Sequence, residues 1–487
     1  MKDMPVANVR NVAFLGHTGS GKTSLLDALL FKLGLNDRKG TPENGTSMAD
    51  WSDEEKDRKI SIWAKPFDLP FKTASGAKHR LVVIDTPGYA DFVGQMLCAL
   101  SVADAGLIFV DATAGLQVGA ARAWRQCEKA GIPRGIVIGG IDKENADFDA
   151  VLASIQSAWG ARCLPVTVPV PGNASVVDVL AASGAPADMA ATVEKLKMQL
   201  VEAAAESDDA LIEKFLGGET LTPEEISSGL RGSVRTAKLV PVFAASARSD
   251  AGLAELLESL VRLFPSPLDR KARTADGAEI DPSPTAPFSG FVWRTISDPF
   301  VGQLSLCRVF GGTMKGEGEI HNVTKDAKER IGGLIVINGK KQETVTEAHA
   351  GDIVALAKLK NTGFNDSLGA PGGTAAFAPI VLPNPVMAYA VTPKTQGDDD
   401  KMMGGLHRVA EEDPTLRLER NAETHEVILS GMGDAEVNVA VDKMRRHSKV
   451  EVILSTPKVA YKETVTGRGE GHYKHKKQTG GRGQYGE

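Results

Sequence analysis

Eight residues near the start of the chain, GHTGSGKT at 16–23, constrain it more than any other feature. They follow an apolar run, NVAFLG (11–16), and precede TSLLDALLFKLG, where Leu26, Leu29, Leu30 and Leu33 share one helical face before Gly34 stops it. The form GxxxxGK[ST] between a strand and a helix reads as a phosphate-binding loop. Its glycines let backbone N–H groups close around phosphate oxygens, and the helix N-terminus adds a favourable dipole. Gly16, His17, Thr18, Gly19, Ser20, Gly21, Lys22, Thr23 and Ser24 are then the candidate nucleotide-binding loop. Lys22 is expected to reach the β- and γ-phosphates, and Thr23 to offer its hydroxyl to Mg2+.

A second apolar strand, LVVID (81–85), runs into DTPG at 85–88. Alone, DTPG is a turn with Pro and Gly in their usual roles. After a phosphate loop it takes on a function: Asp85 holds magnesium through water and the Gly88 N–H contacts a γ-phosphate. The base-reading positions are weaker. The strand GIVIGGID (135–142) ends in Gly139-Gly140-Ile141-Asp142, so the carboxylate of an Asn-Lys-x-Asp motif is in place while its first two positions are glycine. Asp142 is either the acceptor for a guanine edge or a helix N-cap. Ser246 and Ala247, after LVPVFAA, fit a contact to the base carbonyl.

The first 270 or so residues alternate buried-strand and helix patterns, as an α/β sheet does. About a hundred residues separate the strands at 135 and 239, far more than a connection needs, so residues about 155–238 read as an inserted subdomain within a domain spanning 1–275. Pro-rich stretches at 265–270 and 281–287 form a linker. Alternating strands with Gly turns then suggest a β-barrel at 285–380, and a mixed pattern suggests a small α+β domain at 384–464. Residues 465–487 carry Arg468, Lys474, Lys476, Lys477 and Arg482, a basic Gly-rich stretch that is either a solubilising tail or a polyanion contact. The formal net charge of -6 argues against a dedicated duplex-DNA binder. No apolar run approaches the roughly 20 residues of a membrane span. Cys98, Cys127, Cys163 and Cys307 lack metal-ligand spacing and read as buried thiols of a cytoplasmic protein.

Taken in order, GHTGSGKT, DTPGYADF (85–92), EAAAESDDALIEKFLGGETLTPEEI (202–226) and VPVFAASARSDAGLAELLESLVRLFPSPLD (240–269) resemble bacterial elongation factor G, the translational GTPase of ribosomal translocation. SDPFVGQLSLCRVFGGTMKGEGEIHN (297–322), LAKLKNTGFNDSLG, VAEEDPTLRL and SGMGD continue the likeness. The resemblance implies a multidomain fold: an α/β P-loop GTPase domain with an inserted subdomain, a β-barrel domain and a small α+β domain. It implies GTP/GDP and Mg2+ as cofactors, the ribosome as partner, a monomer, a cytoplasmic location, and no membrane or DNA partner. QTGGRGQYGE resembles the opening of a fourth domain, which would make 465–487 its truncated start. Scattered cations such as Lys325, Lys328, Arg330, Lys340 and Lys341 either face ribosomal RNA or form an ordinary solvated surface.

Three departures bear on activity. The family's DTPGH carries a His that orients or activates water; here the position is Tyr89, and a phenol is a poor base near neutral pH. The family's RGITI is Arg58-Lys59-Ile60-Ser61-Ile62, with Ser61 keeping the hydroxyl that would ligate magnesium. Gly139 and Gly140 are the third. The metal candidates are thus Thr23, Ser61 and Asp85, and the catalytic candidates are Lys22, Gly88 and Tyr89. DTPGYADF itself resembles an elongation-factor-G-like, paralogous branch. The implied function is a GTP-hydrolysing translation factor with slow turnover. The alternatives are a nucleotide-dependent ribosome-associated protein with vestigial hydrolysis and an ATPase that has lost guanine selectivity. Ala435 and Glu436 stand where the family usually has Leu-His, which is expected to change how the third domain couples.

Overall fold

The computed structural model describes residues 4–172, 175–181, 185–298, 301–477, 481 and 484–486. Residues 8–246 build a seven-stranded sheet in the order Lys65–Lys72, Lys78–Asp85, Val9–Gly16, Ala105–Asp111, Arg134–Gly139, Val240–Ala245, Cys163–Pro165. All neighbours are parallel except the Lys65–Lys72 edge, which runs antiparallel to Lys78–Asp85. The inner strands are apolar along their length because helices cover both faces, and every residue of Val9–Gly16, Ala105–Asp111 and Val240–Ala245 is buried. Leu25, Leu26, Leu29 and Leu30 of the helix Lys22–Lys32 fill one such layer. Parallel register brings Gly16, Asp85, Asp111 and Gly139 to the carboxyl ends of their strands, where open α/β sheets place their ligands.

The segment read as an insertion contains the helices Ala190–Ala205, Asp209–Leu216 and Pro223–Arg235, the last started by a Thr222–Glu225 capping box. It also lends the strand Cys163–Pro165 to the edge of the main sheet, parallel to Val240–Ala245. Three residues are too short a run to announce a strand by periodicity.

Beyond the linker, an eight-stranded antiparallel sheet is centred on Ser289–Asp298 paired with Gly302–Gly311. Its strands converge on one apolar cluster that includes Val292, Val309, Ile320, Leu334, Leu356 and Leu368, so the sheet wraps around its own core as a barrel does. The third unit runs strand Met387–Pro393, helix Asp399–Glu412, strands Arg417–Arg420 and Val427–Gly431, helix Asp434–Ser448, strand Val452–Ser455. Its all-antiparallel sheet has the order second, third, first, fourth, the βαββαβ arrangement of ferredoxin-like folds. Of the terminal stretch, residues 478–480, 482–483 and 487 lie outside the described residues, Arg482 among them; His475–Lys477 pairs with Gln484–Gly486.

Among the described residues no helix is long and apolar enough to cross a membrane. The four cysteines are buried and unpaired. The barrel cations are largely occupied: Lys325 pairs with Asp366 at 2.8 Å and Lys328 with Glu319 at 3.2 Å, while Lys341 donates to the Leu35 carbonyl at 3.3 Å.

Candidate functional site: a phosphate loop, a hydroxyl–carboxylate cluster and a base turn

The loop after Val9–Gly16 needs its glycines for two different reasons. At Gly16 an added Cβ would lie 2.7 Å from the Phe109 carbonyl oxygen, so no side chain fits. Gly19 and Gly21 have open space but φ of 73° and 88°, which side chains rarely adopt. The Lys22 ammonium is buried and donates to the His17 carbonyl at 2.8 Å, closing the loop on itself. Burial pushes Lys22 down to about 8, against the opposing pull of Asp85 and Asp50.

Three predicted metal residues converge. The Thr23 hydroxyl donates to Asp85 Oδ2 at 2.8 Å and lies 2.9 Å from Ser61 Oγ; Ser61 in turn contacts Asp50 Oδ2 at 3.0 Å. These three oxygen–oxygen contacts have only two hydroxyl protons between them, so the third needs a protonated carboxyl. Burial raises Asp50 to about 8 and Asp85 to about 6, consistent with Asp50 holding that proton. Asp85 Oδ1 and Asp50 Oδ1 are also buried without a hydrogen-bond partner. Lys65 approaches Asp50 Oδ1 at 4.0 Å, which leaves Asp85 Oδ1 as the unpartnered oxygen; it and the hard oxygen donors around it fit a magnesium ion. Asp50 escaped the sequence reading because it lies in an irregular stretch with no residue pattern to mark it.

Gly88 packs so tightly on the backbone of His17 and Thr18 that a Cβ there would collide with both. Tyr89 follows it, 43% exposed, and its hydroxyl makes no hydrogen bond to a described residue. Lys59, at the position of the family's glycine, caps the short helix Asp53–Arg58 with φ 55°. That is a left-handed site where glycine would relieve about 1 kcal/mol of strain.

At the turn expected to read the base, Ser246 Oγ donates to Asp142 Oδ1 at 2.6 Å while accepting from the Arg248 and Ser249 amides at 3.2 and 3.1 Å. Asp142 and Ser246, 104 residues apart, therefore meet. Asp142 caps no helix: the following helix, Phe148–Trp159, is capped by Asp147. Ala247 continues the Ser246 loop.

The segment after Gly88 is tied to the third unit. Asp91 Oδ2 accepts from the Ala435 amide at 3.0 Å, at the start of helix Asp434–Ser448. Phe92 shares an apolar cluster with Ile62, Trp63 and Val439, and Ala435 packs against it. Arg58 pairs with Asp442, and Arg446 with Asp57, from the same helix. Beneath them Glu436 Oε1 lies 2.5 Å from the Thr415 hydroxyl, which also contacts Asp413 Oδ1 at 2.6 Å, and Glu436 Oε2 accepts from the Met432 amide. Burial, then the charge of Asp413, raises Glu436 to about 8, with Asp91 adding to the rise. A folded-state value above the unfolded one means the protonated acid stabilises. That contribution is full below the unfolded glutamate range and lost as pH rises through about 8. Glu436→Gln, which keeps the neutral shape, should therefore flatten the fall in melting temperature between about pH 6 and 8.5. Parallel parent and variant curves would show that Glu436 carries no such dependence.

Comparison with known proteins places the candidate phosphate loop and the residues around it in a P-loop GTPase domain. A family model described as the elongation factor Tu GTP binding domain matches residues 7–266, elongation factor G domain 2 matches 287–370, and elongation factor G domain III matches 382–456. The chain belongs to the elongation factor G family of translational GTPases. A crystal structure of a protein from Thermus thermophilus superposes with a TM-score of 0.87 at 34% sequence identity, over 99% of this chain and 72% of that one. The order of the three matches is that of the elongation factor G architecture: a P-loop GTPase domain, a β-rich domain and a small α+β domain.

Proposed function

We propose that this chain binds GTP and GDP with Mg2+, hydrolyses GTP slowly to GDP and phosphate, and acts on the ribosome as a GTP/GDP switch. The observation that carries the reading is the convergence of Thr23, Ser61 and Asp85 in one cluster, with a buried Asp85 oxygen that lacks a hydrogen bond, beside the candidate phosphate loop. Thr23 and Ser61 would hold the ion directly, with Asp85 and Asp50 supporting it, and the ion would offset charge on the β- and γ-phosphates. Lys22 and the loop amides bind the phosphates, the Gly88 amide senses the γ-phosphate, and Asp142 with Ser246 and Ala247 reads the base. Tyr89 positions water without being able to take its proton readily at neutral pH. The ribosome, as for the family, is the partner of a cytoplasmic monomer, with no membrane or DNA role. DTPGYADF, with Tyr89 in it, supports placing the chain in the paralogous branch.

A second reading, a nucleotide-dependent ribosome-associated protein with vestigial hydrolysis, is favoured by Gly139, Gly140 and Tyr89, which is exposed and makes no hydrogen bond to a described residue. Turnover with and without ribosomes separates the two. Slow but ribosome-stimulated hydrolysis supports the GTPase, and Tyr89→His is then expected to raise it roughly tenfold or more. Guanine binding with no turnover in either protein would support the vestigial reading. Titration with GDP and ATP tests the pocket itself, since equal affinities would remove the guanine assignment.

A further inference from the structure

The two glycines at the end of Arg134–Gly139 are not equivalent. A Cβ at Gly139 would sit 3.5 Å from the Ser20 carbonyl oxygen, an ordinary contact, so a Cβ is accommodated there. Gly140 has φ 70°, and the space its side chain would enter is already filled: Cε, Cδ and Nζ of Lys143 lie 2.9, 3.0 and 3.4 Å from the Cβ position. The Lys143 side chain is 48% exposed, yet it is not fully extended. It folds back over the turn, and its ammonium is fixed by Asp111 Oδ2 at 2.5 Å. Asp111 is itself held, its other oxygen accepting from the Thr113 amide and hydroxyl at 2.9 and 2.5 Å. The anchored side chain thus lies against the turn Gly140–Lys143, which contains Asp142 with its contact to Ser246, and Gly139 just before it approaches the Ser20 carbonyl.

We infer that Lys143, folded across Gly140 and anchored by Asp111, is a positioning residue for the nucleotide base. Its alkyl stem supplies the apolar surface that two glycines leave bare, and its ammonium supplies the cation missing at position 140. A purine face has something to pack on where the backbone alone would be open to water. The arrangement explains how a turn without the Asn and Lys of the family motif can still hold guanine against Asp142, and it rests on the GTP-binding reading above.

The test uses the full chain, with calorimetric titration of Mg2+–GDP and of Mg2+–pyrophosphate, which has phosphates and no base. Lys143→Ala is expected to weaken GDP about tenfold while leaving pyrophosphate binding and the melting temperature of the free protein unchanged. Lys143→Arg is expected to recover most of the loss, because a long stem and a cation remain. Unchanged GDP affinity in Lys143→Ala, or an equal loss for GDP and pyrophosphate, would overturn the inference and leave the GTP-binding reading standing. A parent protein that binds pyrophosphate and shows no preference for GDP would instead remove the guanine reading, and this inference with it.

Discussion

Lys22→Met is expected to weaken Mg2+–GDP binding about a hundredfold or more while the fold survives. The ammonium is buried in the phosphate loop, 5% exposed, where the anionic phosphates of a nucleotide would be its partners. Without a nucleotide its position is costly, since burial holds it down to about 8. Methionine keeps the length and the burial of the stem. It removes the bond to the His17 carbonyl, about 1 kcal/mol, and relieves a buried charge of comparable or greater cost, so the free protein should melt within a few degrees of the parent. Ligand makes the difference visible. At a GDP concentration of about 100 Kd the parent gains about 2.7 kcal/mol from mass action, and the variant at that concentration gains little. The measurement is a thermal melt with and without Mg2+–GDP. Equal ligand-induced shifts in both proteins would mean that Lys22 does not bind phosphate, and the loop assignment would fall.

What could be read from the sequence followed how local each signal is. The phosphate loop was legible because its glycines, Lys22 and Thr23 are contiguous and each answers a short-range demand: a close approach at Gly16, left-handed backbone at Gly19 and Gly21. Strands such as Ala105–Asp111 announced themselves by being apolar throughout, a consequence of burial on both faces. The helix Asp434–Ser448 gives no such signal, because its buried positions, Glu436 among them, are not all apolar and its pattern is interrupted by charge. Asp50 and Lys143 stayed hidden for another reason. Their roles come from where the chain folds back, Asp50 onto Ser61 eleven residues away and Lys143 onto Asp111 across two strands, and no spacing in the sequence encodes either meeting. The Leu-His replacement at Ala435 and Glu436 was visible as a departure. Its consequence, a raised carboxyl beside Thr415 and Asp413, needed the packing of the third unit against Asp91.

Arg308→Ala is expected to cause the largest loss of stability, about 3–5 kcal/mol at the junction of the GTPase domain and the barrel. Arg308 rises from the barrel strand Gly302–Gly311 and is 1% exposed; Asp104, 2% exposed, precedes the sheet strand Ala105–Asp111. Arg308 Nη2 donates to both Asp104 oxygens at 2.8 and 2.9 Å, and Nη1 donates to the Val102 carbonyl. The guanidinium also lies 4.6 Å from the Phe310 ring centroid. Removing the arginine strands a buried carboxylate whose remaining direct donor is Asn11 Nδ2 at 2.9 Å. Arg270, which donates to the Ala103 carbonyl at 3.1 Å, and Arg10 remain as cations near Asp104 and hold the loss toward the lower end of that range. Because the pair joins two domains, the effect should appear in scanning calorimetry as lost cooperativity: the barrel melts first and separately. The double replacement Arg308→Met with Asp104→Leu removes both charges at once and should recover much of the loss, since an uncompensated buried charge costs more than an absent pair. If Arg308→Ala melts like the parent, or if the double variant is no better than the single one, this ion pair does not hold the two domains together and their junction rests on its other contacts, the buried Arg80–Asp352 pair among them.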